Sequence, residues 1–161
     1  MKKYFLLLSI FFVGLSACNK GDVVANQAAV DDAKILEYFR YNGVNVGGTE
    51  VATKDPSGIY YEIVAAGPTP NDLTTYPKST STVKIAYTGK FLDGQSFDTS
   101  PSVTLLLSNT VQGFQLGIPH INTGGRIRLY VPSGLGYGPA GSGSIPPNAC
   151  LIFTIDLLGF F

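Results

Sequence analysis

From Ile59 to Leu158 the chain is built of short runs of β-forming residues cut apart by glycine and proline, and that punctuation confines it to a sheet of short strands. Val83-Lys84-Ile85-Ala86-Tyr87 and Arg126-Ile127-Arg128-Leu129-Tyr130-Val131 alternate, which predicts strands with one wet and one buried face. Ile59–Val64 reads as another strand, ended by Gly67-Pro68, and Leu151–Leu158 as the last. Val103–Leu107 is predicted as a short buried strand. Asp93-Gly94 marks a tight turn. Pro68–Thr82, with three prolines, and Leu135–Pro147 are loops. Only Gly113–Ile121 reads as a short helix here, with Pro119 interrupting its hydrogen bonding near the end. Antiparallel strands with one short helix make an α+β domain whose sheet buries a face on that helix.

Upstream the grammar differs. Ala28–Tyr41 predicts a helix with Ile35, Leu36 and Phe39 on a shared face and Asn42-Gly43 as its stop. A lone helix of this length is marginal in water, so it is expected to dock. Asn19–Gln27 reads as a tether and Val44–Ser57 as a connector. At the start, Met1-Lys2-Lys3 precedes an apolar run, Tyr4–Leu15, and then Leu15-Ser16-Ala17-Cys18. This order is that of a secretion signal, and the run is short of the ~20 residues that span a bilayer. A retained membrane anchor is the alternative. Leu-Ser-Ala-Cys resembles the lipobox of bacterial lipoproteins, which implies cleavage before Cys18 and acylation of its thiol. Several acyl chains anchor firmly where one does not. Asn19, in place of the aspartate that favours inner-membrane retention in some bacteria, tilts the expected address to the outer membrane. The expected parts are a signal peptide (1–17), a tether with helical extension (18–57) and a domain over 58–161.

Removing the signal leaves 144 residues (161 less 17), enough for one domain with a real core. Nine basic and 11 acidic side chains remain once Lys2 and Lys3 are gone, with no basic patch for nucleic acid. An acylated Cys18 leaves Cys150 without a partner, so no disulfide supports the fold, and Cys150 reads as a small buried hydrophobe. With His120 as the single histidine and no Cys/His cluster, no metal site is expected. Gly134–Gly143 lacks the Gly-Lys-Ser/Thr end of a phosphate loop. No nucleophile elbow is present. What remains is a set of aromatics, Tyr87, Phe97, Phe114, Tyr137 and Phe153, which by themselves read as core.

Their setting adds more. Val83–Gly89 leads to Asp93-Gly94-Gln95-Ser96-Phe97-Asp98-Thr99-Ser100, then Val111-Gln112-Gly113-Phe114, Gly124-Gly125-Arg126 and Leu129-Tyr130-Val131-Pro132. Leu135-Gly136-Tyr137-Gly138, Ile145-Pro146-Pro147-Asn148-Ala149 and Leu151-Ile152-Phe153 follow. In this order, over about 100 residues, the motifs resemble the FKBP-type peptidyl-prolyl isomerases, the immunophilins that bind macrolides. The resemblance implies an antiparallel half-barrel β-sheet wrapped around a short helix, with a pocket between them, and here an N-terminal helical extension. It implies Asp98 and Tyr137 as catalytic residues. Tyr87, Phe97, Val111, Phe114, Ile145 and Phe153 are implied as the substrate-binding wall. Phe114 falls where the family usually has a tryptophan, and this chain has none.

The implied chemistry is rotation about an X–Pro bond, which passes through a twisted amide without resonance. By resemblance the Tyr137 hydroxyl and the Ile145 backbone N–H hydrogen-bond substrate carbonyls. Asp98 acts at the twisted carbonyl or orients Tyr87; alternatively it caps a turn. No covalent step, metal or cofactor is required. The implied partners are proline-containing peptides or folding exported proteins, macrolide inhibitors, and a membrane through the lipid on Cys18. The N-terminal helix resembles extensions that dimerise some relatives. Two other readings stand beside the isomerase: a proline-binding chaperone or binding module, and a structural lipoprotein whose aromatics are all core.

Overall fold

A computed structural model describes residues 20–46, 51–68 and 76–161. The signal segment, Cys18, Asn19 and part of the 68–82 loop lie outside them. The helix predicted over Ala28–Tyr41 runs from Lys20 to Asn42 (α1), so residues 20–27, expected as tether, are helical. Its buried face is Asp31, Ile35 and Phe39, spaced by four. Leu36, expected on that face, is 39% exposed, because one residue turns a helix by about 100°. The stop is as predicted. Gly43 has φ 68°, and the Val44 N–H donates to the Phe39 carbonyl at 3.0 Å, closing a Schellman turn.

The supposed connector Val44–Ser57 contains two strands, β1 (Asn45–Val46) and β2 (Val51–Lys54), too short for their alternation to be read. β3 (Tyr60–Ala65), β4 (Thr82–Phe91), β5 (Ser96–Leu106), β6 (Arg126–Val131) and β7 (Leu151–Phe160) complete the sheet. The order is β1-β2-β3-β6-β7-β4-β5. All neighbours pair antiparallel except β1 and β2, which are parallel at the edge. Gly94, at φ 87°, turns β4 into β5 as Asp93-Gly94 predicts, and Asp93 Oδ1 accepts the Gln95 N–H at 2.9 Å. Val103–Leu107 is not a short buried strand. Val103–Leu106 is the end of β5, an edge strand carrying Pro101, with Leu106 41% exposed; Leu107, fully buried, begins a 3-10 turn.

One face of the sheet carries α2 (Gln112–Gly117). The helix predicted over Gly113–Ile121 is split: beyond Gly117 it tightens into a 3-10 turn, Ile118–His120, around Pro119, which lacks an N–H to continue the ladder. A Cβ on Gly117 would run into the Leu129 side chain, so the glycine allows helix and β6 to touch backbone to side chain. Ile118, Ile121, Ile127, Leu129, Ile155 and Leu157 close this core without exposure.

The opposite face is covered by α1. On β6, Ile127, Leu129 and Val131 point into the core, while Arg126 and Arg128 point out, as alternation predicts. Tyr130 also points out yet is fully buried, because Phe39 packs against it edge-on at 4.6 Å and 84°. Phe39 meets Tyr60 likewise at 5.3 Å and 83°. Ile35, Ala52, Cys150 and Ile152 complete this second core. Around it the Tyr130 hydroxyl donates to Glu62 at 2.6 Å, and Tyr60 and Lys54 donate to Asp32 at 2.7 and 2.6 Å. Burial, first of all, pushes the Cys150 thiol up to about 12. Replacing Phe39 with Ala removes the ring shared by Tyr60 and Tyr130. It is expected to cost about 3–5 kcal/mol, measured by urea unfolding, with the sheet retained.

Candidate active site

Seven of the eight predicted site residues meet at the mouth of the α2-covered face. β4 supplies Tyr87, β5 supplies Phe97 and Asp98, α2 supplies Phe114, and β7 supplies Phe153; Val111 precedes α2 and Ile145 comes from the long loop. Phe153 is the hub. Its ring lies edge-on to Phe114 at 4.7 Å, to Phe97 at 5.6 Å and to Tyr87 at 6.5 Å. Tyr87 meets Phe114 at 6.1 Å. Val111 and Ile145 pack on the same cluster. Phe114 is 5% exposed, as an apolar floor requires.

Two features of the backbone aim Phe97 inward. The β4–β5 register pairs Gly89 with Asp98 and Lys90 with Ser96, so Phe97 is the extra residue of a bulge. Gly89 then leaves room for its ring: a Cβ there would stand 2.6 Å from Phe97 Cζ and 3.1 Å from Phe153 Cε1. Phe91 backs the ring at 4.9 Å. Neither Gly89 nor Phe91 was predicted. The one available signal was a glycine inside a strand pattern, which marks close approach.

Asp98 lies within β5 and caps no turn among the described residues. Instead the Tyr87 hydroxyl donates to it at 2.5 Å. Burial, then that hydrogen bond and the Asp98 charge, push the Tyr87 phenol up to about 12. Tyr87 is therefore a neutral donor with a fixed direction at physiological pH. Tyr137, the eighth residue, stands at the rim on the loop after β6, 37% exposed. Its phenol is raised by burial and then by the nearby Asp98 charge. Among the described residues its hydroxyl has no hydrogen-bond partner. The Ile145 N–H differs from what the resemblance implies. It donates to the Ser142 carbonyl at 2.8 Å, and the Ser142 N–H returns a bond to Ile145 O at 2.9 Å. A substrate carbonyl would have to share that donor in a three-centre bond.

A cavity of about 690 Å³ lies elsewhere, between α1 and residues 132–139, and none of the predicted site residues lines it. Among the described residues there is no cluster of three His, Cys, Asp or Glu side chains placed to hold a metal.

The raised Tyr87 value has a sign that can be checked. Tyr87 loses its proton to become charged, so its contribution to stability is complete below the ordinary value of 10 and fades as pH climbs through about 12. Ultraviolet titration should resolve this late phenol. Asp98→Asn should lower its midpoint yet leave much of the shift, since burial is the larger cause.

The family profile of the FKBP-type peptidyl-prolyl cis-trans isomerases matches residues 74–158. FkpA of Escherichia coli strain K12, named as an FKBP-type peptidyl-prolyl cis-trans isomerase, is 34% identical over 139 residues, which take in 81% of this chain and 47% of FkpA. The chain thus spans about half the length of that relative. FK506-binding protein 1 of Saccharomyces cerevisiae is 38% identical over 96 residues, 55% of this chain and 84% of the yeast protein. The crystal structure of FkpA from Escherichia coli superposes with a TM-score of 0.69 at 30% identity, covering 87% of this chain and 63% of that one. Profile, relatives and fold agree with the motifs from Val83 to Phe153, and the chain belongs to the FKBP-type peptidyl-prolyl cis-trans isomerase family.

Proposed function

We propose that this chain is a peptidyl-prolyl cis-trans isomerase that accelerates X–Pro isomerisation in exported proteins at the cell envelope. The observation that carries the proposal is the closed set of rings around Phe153, with the Tyr87–Asp98 pair and the Tyr137 hydroxyl, without a hydrogen-bond partner among the described residues, at its rim. Resonance makes the planar amide the more charge-separated form. A water-poor seat against Phe97, Phe114 and Phe153 therefore raises the planar state relative to the twisted one and holds the proline ring while the chain turns. Tyr137 donates to a substrate carbonyl. Asp98 keeps the Tyr87 hydroxyl aimed. Only contacts stronger in the twisted state speed the reaction. Lowering the barrier by ~5–6 kcal/mol corresponds to an acceleration on the order of ten-thousandfold.

In this reading residues 58–161 are the isomerase domain, 18–57 the tether and helical extension, and 1–17 the export signal. Lipid on Cys18 holds the domain to a membrane, by the identity of Asn19 the outer one. No helix among the described residues is long and apolar enough to cross a membrane. Pairing of two copies through α1 would use its outer side, where Val30, Leu36 and Tyr41 are exposed, since Ile35 and Phe39 are spent on the chain's own sheet. A second reading is a proline-binding chaperone or binding module with weak or no isomerase activity. Phe114 in place of the family's usual tryptophan, and the Ile145 N–H held by Ser142, favour it.

A proline-peptide exchange assay separates these readings. Acceleration inhibited by rapamycin supports the isomerase, rapamycin binding without acceleration supports the binding module, and neither leaves a structural lipoprotein. In the same assay Phe114→Trp should preserve or raise activity; a large loss with the fold intact would remove Phe114 from the pocket floor. For the anchor, Cys18→Ala should abolish fatty-acid labelling of the protein in cells, and persistence of the label would refute acylation at that residue.

A further inference from the structure

We propose that Asp31, on the N-terminal helix, is a positioning residue for the isomerase site: its carboxylate fixes the turn from which Tyr137 is displayed. The proposal rests on the isomerase reading of that site. Asp31 is 1% exposed and lies outside the region that matches the family profile. Its Oδ2 accepts both the Ser133 N–H at 2.9 Å and the Ser133 hydroxyl at 2.5 Å. Its Oδ1 accepts from the Gln27 side chain at 2.8 Å. Lys34 Nζ stands 4.0 Å from the same Oδ1. Even a carboxylate paired and hydrogen-bonded in this way is costly to bury, which asks what the site gains beyond docking. Ile35 and Phe39 already dock the helix through apolar contact.

The reason lies in what Ser133 begins. Ser133–Leu135 is a single 3-10 turn, and the first N–H of such a turn has no partner within it. Asp31 supplies the partner from 102 residues away in the chain. The Gly136 N–H then donates to the Ser133 carbonyl at 3.0 Å, and Tyr137 follows at once. Gly134, Gly136 and Gly138 surround Tyr137 and stiffen little on their own. Beyond Tyr137, the Gly138 carbonyl is tied to the Asn148 N–H at 2.9 Å. Leu135 packs on the inner core, while toward α1 a cavity of about 690 Å³ opens, lined by Ala28, Asp31, Pro132, Ser133, Leu135 and Pro139. The two Asp31–Ser133 bonds, beside that cavity, tie the near end of the segment that carries Tyr137 to α1.

The test compares Asp31→Ala and Asp31→Asn with the unmodified purified protein. Asp31→Ala should lower kcat/KM for a proline peptide by about 10- to 100-fold, the scale of a small displacement of a catalytic group, with kcat falling more than KM rises. Asp31→Asn keeps an acceptor oxygen for Ser133 and should restore most of the activity. Independently of catalysis, amide hydrogen exchange at Leu135 and Gly136, whose N–H groups donate to Pro132 and Ser133 carbonyls, should quicken about tenfold or more in Asp31→Ala while the Ile155 amide in β7 is unchanged. If Asp31→Ala does not fold, Ser133→Ala carries the same local expectation in weaker form, since only the hydroxyl bond is lost. Wild-type kcat and KM together with unchanged exchange at Leu135 and Gly136 would overturn the proposal, even if the melting temperature fell. If the unmodified protein shows no acceleration, the isomerase reading fails, and the exchange pattern still decides whether Asp31 holds the Tyr137 segment.

Discussion

The close approach of α2 to β6 is the contact on which the site depends. A six-residue helix cannot hold itself together in water, and it persists here because the sheet carries it. At Gly117 there is no Cβ, and the Leu129 side chain occupies the space one would take. Seated that deep, the helix brings Phe114 against Phe153 and fixes the ring cluster at the candidate site. A larger residue at 117 would lift the helix and pull Phe114 away from Tyr87 and Phe153.

The sheet is sandwiched unevenly. The inner face is covered by α2 and its 3-10 extension; the outer face near β6 and β3 is covered by α1. Covering the second face buries Tyr60 and Tyr130, residues that a sheet with one solvated face would leave wet. It also brings the carboxylates of Asp31 and Asp32 to the domain, one to Ser133 and one to Tyr60 and Lys54. The helical extension is thus part of the domain's packing and not an appendage on a flexible stem.

Much of this was legible in the sequence because period-2 alternation is a local signal. Strands β4 and β6 were visible for that reason, and the Asp93-Gly94 turn because glycine there takes the positive φ a tight turn needs. What escaped depends on partners distant along the chain. The dryness of Tyr130 depends on Phe39, ninety-one positions earlier, and the role of Asp31 on Ser133. β1 and β2 are too short to carry a pattern, and β5 is wetter than its apolar end implies because it is an edge. At the site, the rings named from motif order are rings that the fold brings into contact. Their aim came from a bulge at Phe97 and a missing side chain at Gly89, which only the register reveals. The engaged Ile145 amide is a matter of backbone closure within one turn and left no mark on composition.

Cys150 sits under α1 with its Sγ 3.9 Å from the Asp31 carbonyl. Thiol chemistry runs through the thiolate, and a group pushed up to about 12 presents almost none of it at neutral pH. In an oxidising compartment an unpaired thiol invites mixed disulfides with neighbouring proteins. Here the helix shields it, so the protein's chemical inertness is coupled to the docking of α1. A thiol-reactive dye added to the folded protein would react only as fast as that helix lifts, making the cysteine a built-in clock for the opening of the outer core.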